Sequence, residues 1–285
     1  MAGRAGGSVF LLTDYGLADE FAGVVRASVL RHAPGVSIID LTHGVAPFDV
    51  RAGALTLVRA APHLGPGVVM AVVDPGVGTR RRAVAVSVAP TADGEGPHHF
   101  VGPDNGLLPW AVDVVGGVER AVEIRRCAPS PTTGPWIPTT FDGRDVFAPA
   151  AARLWQGASI EELGPELDPT SLVRLIEPRV SASTGALDVE VLWVDRFGNV
   201  QLAAQPADAV AAALGTELEV IGAVSHRVRR VRAFADLGPG ELGLIVDANG
   251  HLSVVCDRQS AATVLGVQAG DVVMVRAVAS SGGSP

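Results

Sequence analysis

The chain has 285 residues, a formal net charge of −8, and 48% hydrophobic against 18% charged residues. At roughly 100–200 residues per domain, this is enough for two domains with substantial cores. The acidic balance, with basic blocks only at 80-RRR-82 and 226-HRVRRVR-232, argues against a nucleic-acid partner, and no apolar run approaches the ~20 residues of a membrane helix.

The start, MAGRAGGSVFLL, has about four apolar residues before Asp14, too few for a secretory signal, so a cytoplasmic protein is expected. Residues 8–13 read as a short apolar strand, and 19–33 show helical spacing (Phe21, Val24, Val25, Val29, Leu30) that stops at Pro34-Gly35. A strand at 36–41, a helix at 49–61 with Asp49 as N-cap, and strands at 67–73, 83–88 and 98–102 follow. The stretch 104–116 turns helical after its first turn, 128–138 is a Pro-rich loop, and a helix over 144–155 contains Pro149. This alternation predicts a mostly parallel, Rossmann-like sheet flanked by helices in an N-terminal α/β domain, 1–170.

Beyond a linker at 171–179 the pattern changes. Short β-rich runs at 187–195, 217–222, 226–234, 241–247, 251–256 and 271–277, with Gly or Asn between them, predict an all-β barrel or sandwich over 180–278. The tail 279–285 is expected to be disordered.

Several chemistries are excluded or disfavoured. There is no lysine, which removes Schiff-base and lysine-nucleophile mechanisms. The seven histidines lack metal-ligand spacing, and the two cysteines, Cys127 and Cys256, read as buried free thiols, so no metal is expected. No GxGxxG, GKS/T or GxSxG motif is present.

What stands out is a set of acidic residues at strand ends: Asp14, Asp74 and Asp195. In open α/β sheets ligands bind beyond the carboxyl ends of the strands, so Asp14 and Asp74 fit a common site, although Asp-Pro-Gly is also ordinary turn chemistry. Three further stretches draw notice: 139-TTFDGRDVFAPAA-151, 195-DRFGNVQL-202 with Gly-Asn interrupting a strand, and the Asn249-Gly250 hairpin signal.

TDYG, LTHGVAPFDVRAGA, VVDPGVGTRRR, VGPDNGLL, TTFDGRDVFAPAA, VDRFGNV and ANGHLSVV occur in that order between about residues 8 and 278. Together they resemble the S-adenosylmethionine hydroxide adenosyltransferase family, relatives of the fluorinating and chlorinating enzymes. The resemblance implies a cofactor-free attack of water on C5′ of S-adenosylmethionine, releasing adenosine and methionine. It also implies a homotrimer with sites between subunits. Water activation is carried by an Asp, an Arg and a His; these match Asp74, Arg81 and position 142, which here is Asp142.

Other positions carry over in the same way. Asp14 matches the holder of the ribose hydroxyls, and Phe48 an aromatic near the sugar. Phe141 and Gly143 flank Asp142 in the substrate site. Asp195 matches the partner of the methionine ammonium, while Phe197 and Asn199 match adenine-pocket positions. Ala248 and Asn249 match the pair at the methionine carboxylate, and Arg258 the point where backbone meets adenine. In the halide-using relatives the position of Asp74 is not acidic. Two carboxylates here disfavour an anionic nucleophile, since a unit charge 4 Å away costs about 4 kcal/mol at an effective dielectric near 20.

Overall fold

The apolar run after Gly7 forms β1 (Ser8–Thr13), buried from Val9 onward, as the second strand of a seven-stranded sheet. The computed structural model describes residues 7–90, 96–125 and 140–278. The Pro-rich loop 128–138, Cys127, Thr139 and the tail 279–285 lie outside the described residues. The chain divides into two compact units, Met1–Leu175 and Ile176–Pro285.

In the first unit β1 is followed by α1 (Phe21–His32), β2 (Ser37–Thr42), α2 (Val50–Ala60) and β3 (Gly67–Val72). Helix α1 turns Ala22, Val25 and Val29 inward, as its spacing dictates. Helix α2 begins where the Asp49 carboxylate accepts from the Ala52 amide at 2.8 Å. Then come β4 (Ala83–Val88), β5 (His99–Pro103), α3 (Pro109–Val114), β6 (Val118–Glu123), α4 (Ala148–Trp155) and β7 (Glu166–Leu167).

The strand order is β2-β1-β3-β5-β4-β6-β7. The half β2-β1-β3-β5 is parallel, while β4 runs against β5 and β6, and β7 against β6. The sheet is therefore mixed, with helices flanking it. Strands β3 and β4 are buried at every residue, which is why they read as unbroken apolar runs. Strand β6, VERAVE, gave no such signal; its charged residues hide the alternation that pairing with β4 reveals. The helix expected over 144–155 starts as a wide turn, Gly143–Phe147, in which the Ala148 amide reaches Gly143 O. Pro149 thereby falls in the first turn of α4, where its missing N–H costs nothing.

The second unit contains β8 (Val180–Ser183), β9 (Ala186–Val194), β10 (Val200–Leu202), α5 (Pro206–Ala211), β11 (Glu217–Ile221) and β12 (Ser225–Arg230). It continues through β13 (Leu242–Val246), β14 (Leu252–Cys256), α6 (Ala261–Leu265) and β15 (Val272–Ala277). The order β10-β14-β13-β12-β11-β15-β9 closes on itself through β9–β10 pairing, giving a seven-stranded barrel with β8 appended to β9. Alternate residues such as Leu187, Val189 and Val191, or Leu218 and Val220, fill its core. The three-residue β10 and the short helices α5 and α6 were invisible to periodicity. Cys256 is a buried free thiol. Among the described residues no helix is long and apolar enough to cross a membrane.

Candidate active site

β1 and β3 are parallel neighbours with Thr13 opposite Val72, so the residues beyond them leave the sheet at the same edge. Those residues include Asp14 and Asp74. Past Asp74 the chain turns tightly: the Gly76 amide donates to Asp74 Oδ1 at 3.2 Å, and the Thr79 amide to Gly76 O at 3.2 Å. That turn returns Arg81 alongside Asp74. Arg81 Nε donates to Asp74 Oδ1 at 3.1 Å and Nη2 to Oδ2, a two-pronged ion pair. The same Nη2 donates to Asp142 Oδ2 at 2.7 Å, and Nη1 to the Arg82 carbonyl at 3.1 Å. The Phe147 ring lies 5.5 Å from the guanidinium carbon. Side-chain exposures of 5% for Asp74, 7% for Arg81 and 3% for Asp142 make this a buried triad.

One cation thus serves two carboxylates. Burial pushes the Asp74 pKa above its ordinary value of 3.8; the Arg81 charge and hydrogen bond oppose the rise, and Asp142 adds to it. The result is a carboxylate of fixed orientation with enhanced proton affinity, which is what a general base requires.

A cleft of about 380 Å³ opens over Asp74 and Asp142, in the size range of small-ligand sites. Asp14, Phe48, Phe141 and Gly143 also line it. Asp14 Oδ2 accepts from the Phe48 amide at 2.9 Å, and Phe48, 71% exposed, is held with φ at 68°. A non-glycine residue in the left-handed region, fixed beside a carboxylate in a cleft, is the kind of strain that ligand sites carry. Behind it, buried His43 Nδ1 lies 2.8 Å from Thr13 Oγ1, anchoring the end of β1. Tyr15 also lines the cleft. Sequence reasoning missed it, and its one signal was its place inside TDYG.

The remaining sequence candidates lie in the barrel unit, on three linked turns. Asp195 organises the first: Oδ1 accepts from the Phe197 and Asn199 amides at 2.8 and 2.9 Å, and Oδ2 from Asn199 Nδ2 at 2.8 Å. With about four lone-pair sites, the carboxylate retains room for one further donor. Gly198 has φ at 84° and packs so closely on Ser260 that a Cβ there would stand 2.2 Å from its Oγ. Ala248 and Asn249 occupy the β13–β14 turn. Asp247, another residue the sequence did not flag, shapes it by accepting from the Asn249 amide at 2.8 Å and from Gln201 Nε2 at 2.6 Å. Arg258 is in the left-handed region, φ 56°, with its side chain 85% exposed. No cluster of three or more metal-ligating side chains exists among the described residues.

Residues 9–164 match the SAM hydroxide adenosyltransferase N-terminal domain and residues 189–274 its C-terminal domain. The chain is 44% identical to the (R)-S-adenosyl-L-methionine hydrolase of Salinispora tropica, covering 93% of this chain and 96% of that protein. It is 40% identical to the enzyme of the same name from Thermus thermophilus, over 92% and 96%. Fluorinases are more distant, at 27% identity for that of an Actinoplanes species, over 94% and 96%. Among solved structures, an uncharacterised conserved protein from Thermotoga maritima superposes with a TM-score of 0.82 at 32% identity, over 94% of this chain and 99% of that one.

Proposed function

The chain belongs to the SAM hydroxide adenosyltransferase family, and from that premise we propose that it hydrolyses S-adenosyl-L-methionine at C5′, giving adenosine and L-methionine without a cofactor. The names of the relatives specify the (R) sulfonium epimer, and we assign that epimer as the substrate here. The observation that carries the reading is the buried Asp74–Arg81–Asp142 triad beneath a ligand-sized cleft.

The chemistry suits those residues. A sulfonium leaves C5′ as a neutral thioether, so no general acid is needed. The obstacle is the nucleophile: bulk water, with a pKa near 15.7, attacks poorly. Asp74 takes a proton from the water as attack proceeds, a contribution of about 10²–10⁴-fold for a positioned base. Arg81 keeps that carboxylate in one orientation. Asp142 stands where the family has its histidine and supplies a second negative group. As positive charge shifts from sulfur toward the attacking oxygen, both carboxylates stabilise it. The same two charges oppose a halide, which separates this site from the fluorinase reaction.

We assign the substrate contacts accordingly. Asp14 holds the ribose hydroxyls, with Phe48, Phe141 and Gly143 around the sugar. Asp195 meets the methionine ammonium, Phe197, Asn199 and the Arg258 backbone the adenine, and Ala248 and Asn249 the carboxylate. The working form is a cytoplasmic homotrimer in which neighbouring subunits complete each site.

The test is incubation of the purified protein with each sulfonium epimer in ¹⁸O-labelled water, with and without chloride. Adenosine labelled at its 5′ oxygen, formed from the (R) epimer and indifferent to chloride, is the expected result. Bound adenosine without turnover would instead mark a non-catalytic binding protein, with Asp142 as the substitution that ended catalysis.

A further inference from the structure

Tyr15 follows Asp14, and none of the roles above employs it. Its ring meets Phe141 edge-on at 5.7 Å and Phe21 at 6.1 Å, and those two rings pack on each other at 5.3 Å. The phenol is therefore one member of a three-ring cluster that holds its orientation at the cleft. Its hydroxyl lies against the backbone of Gly143, so close that a Cβ there would stand 2.3 Å from the oxygen. Gly143 directly follows Asp142, and Tyr15 lines the same cleft as Asp74 and Asp142. Burial, with the charges of Asp14, Asp74 and Asp142, raises the pKa of the phenol above its ordinary value, and Arg81 opposes the rise. Tyr15 is a neutral O–H at neutral pH.

We propose that the Tyr15 hydroxyl is the second hydrogen-bond acceptor for the attacking water and so a catalytic residue of this enzyme. The inference rests on the hydrolytic reading above. A water molecule that attacks carbon must aim a lone pair, and its two hydrogens decide where that lone pair points. A single base holds one hydrogen and leaves the molecule free to swing about that bond. A phenol can donate and accept together. A phenol that donates its own proton in a hydrogen bond to a neighbouring acceptor keeps its lone pairs for the water. The O–C5′ bond then forms as the C5′–S bond breaks, and the C–S electron pair stays on the methionine sulfur. The water's proton passes to the carboxylate base, and the phenolic proton remains on Tyr15 throughout.

Tyr15→Phe preserves the ring stack and removes only the oxygen. The expected result is a fall in kcat of about ten- to hundredfold, with KM and adenosine affinity by calorimetry changed by less than about threefold. Wild-type kcat in Tyr15→Phe, or a loss confined to KM, overturns the proposal. A second variant removes dependence on one substitution. Gly143→Ala displaces the hydroxyl and slows the wild type by a larger factor than it slows the Tyr15→Phe background, where the oxygen it strikes is gone and only the ring carbons at 3.2 and 3.3 Å remain. Equal losses in both backgrounds also overturn the proposal. If the wild type releases no adenosine from either epimer, the hydrolytic reading itself fails and this inference falls with it; a wild type that turns over beside an unimpaired Tyr15→Phe sinks the Tyr15 proposal alone.

Discussion

Arg81 and Asp142 meet across 61 positions of sequence, Nη2 to Oδ2 over 2.7 Å, through a guanidinium already forked on Asp74. The arrangement makes the base, its clamp and the second carboxylate one electrostatic unit, and changing any member alters the other two.

Removing the cation is the harshest change. Arg81→Leu takes the shared cation from two buried carboxylates, a loss of about 3–5 kcal/mol in comparable buried pairs. Thermal unfolding at pH 7 should show a large drop in Tm that partly recovers at pH 5, where protonation relieves the pair. Arg81→Lys keeps the charge and loses the fork, so its Tm falls less while kcat still drops about ten- to hundredfold.

Turnover should have an acidic limb whose midpoint lies above 3.8, because Asp74 must be ionised to accept a proton and its pKa is raised. Asp142→Asn removes one upward push and moves that midpoint down. Stability has the opposite sign. A carboxyl raised in the fold favours folding below 3.8, and that contribution is lost as pH rises through the folded value. Asp142→His, which installs the residue that the family resemblance implies for this position, is expected to preserve or raise kcat, and a complete loss would count against interchangeable roles there. A kcat–pH profile of the three proteins measures the limb and the turnover, and urea unfolding across the same pH range measures the stability.

His99, on β5, carries an acid sensitivity distant from the site. Burial, with His98 beside it, pulls its pKa from 6.5 down to about 4, and its ring lies 3.1 Å from Ser87 Oγ. The group binds protons more readily when unfolded, so its contribution is complete above pH 6.5 and lost as pH falls toward 4. The loss amounts to about 3 kcal/mol. His99→Gln should flatten the decline in urea midpoint between pH 7 and pH 4.5.

Phe48→Gly should separate stability from binding. Its φ of 68° costs a phenylalanine about 1 kcal/mol and a glycine nothing, and the residue, 71% exposed, buries little. The variant is expected to unfold at the wild-type temperature or slightly above it. Its KM should rise several-fold because the sugar loses its aromatic neighbour. An unchanged KM would remove Phe48 from the substrate site.

Local order was legible in the chain, and distant pairing was not. Asp14, Asp74 and Asp195 announced themselves as acids ending apolar runs. Which of the three consecutive arginines belongs with Asp74 came from the family resemblance, and the short Pro-Gly turn is what brings Arg81 back to it. The turn around Asp195 is likewise built from its own neighbours. Strand β6, by contrast, exists because β4 supplies its partner, and β10 because the barrel closes on β9. Gln201 and Asp247 are unremarkable residue types until the barrel brings them within 2.6 Å.

Composition, periodicity and turn chemistry by themselves determined the two-part architecture and the acidic strand ends, since each depends on residues a few positions apart. The order in which strands join, the single guanidinium shared by Asp74 and Asp142, and the seating of the Tyr15 hydroxyl on Gly143 were decided only by the tertiary structure. Those contacts join distant segments, and which segments meet is settled by the packing of whole sheets and helices, a quantity no local window contains.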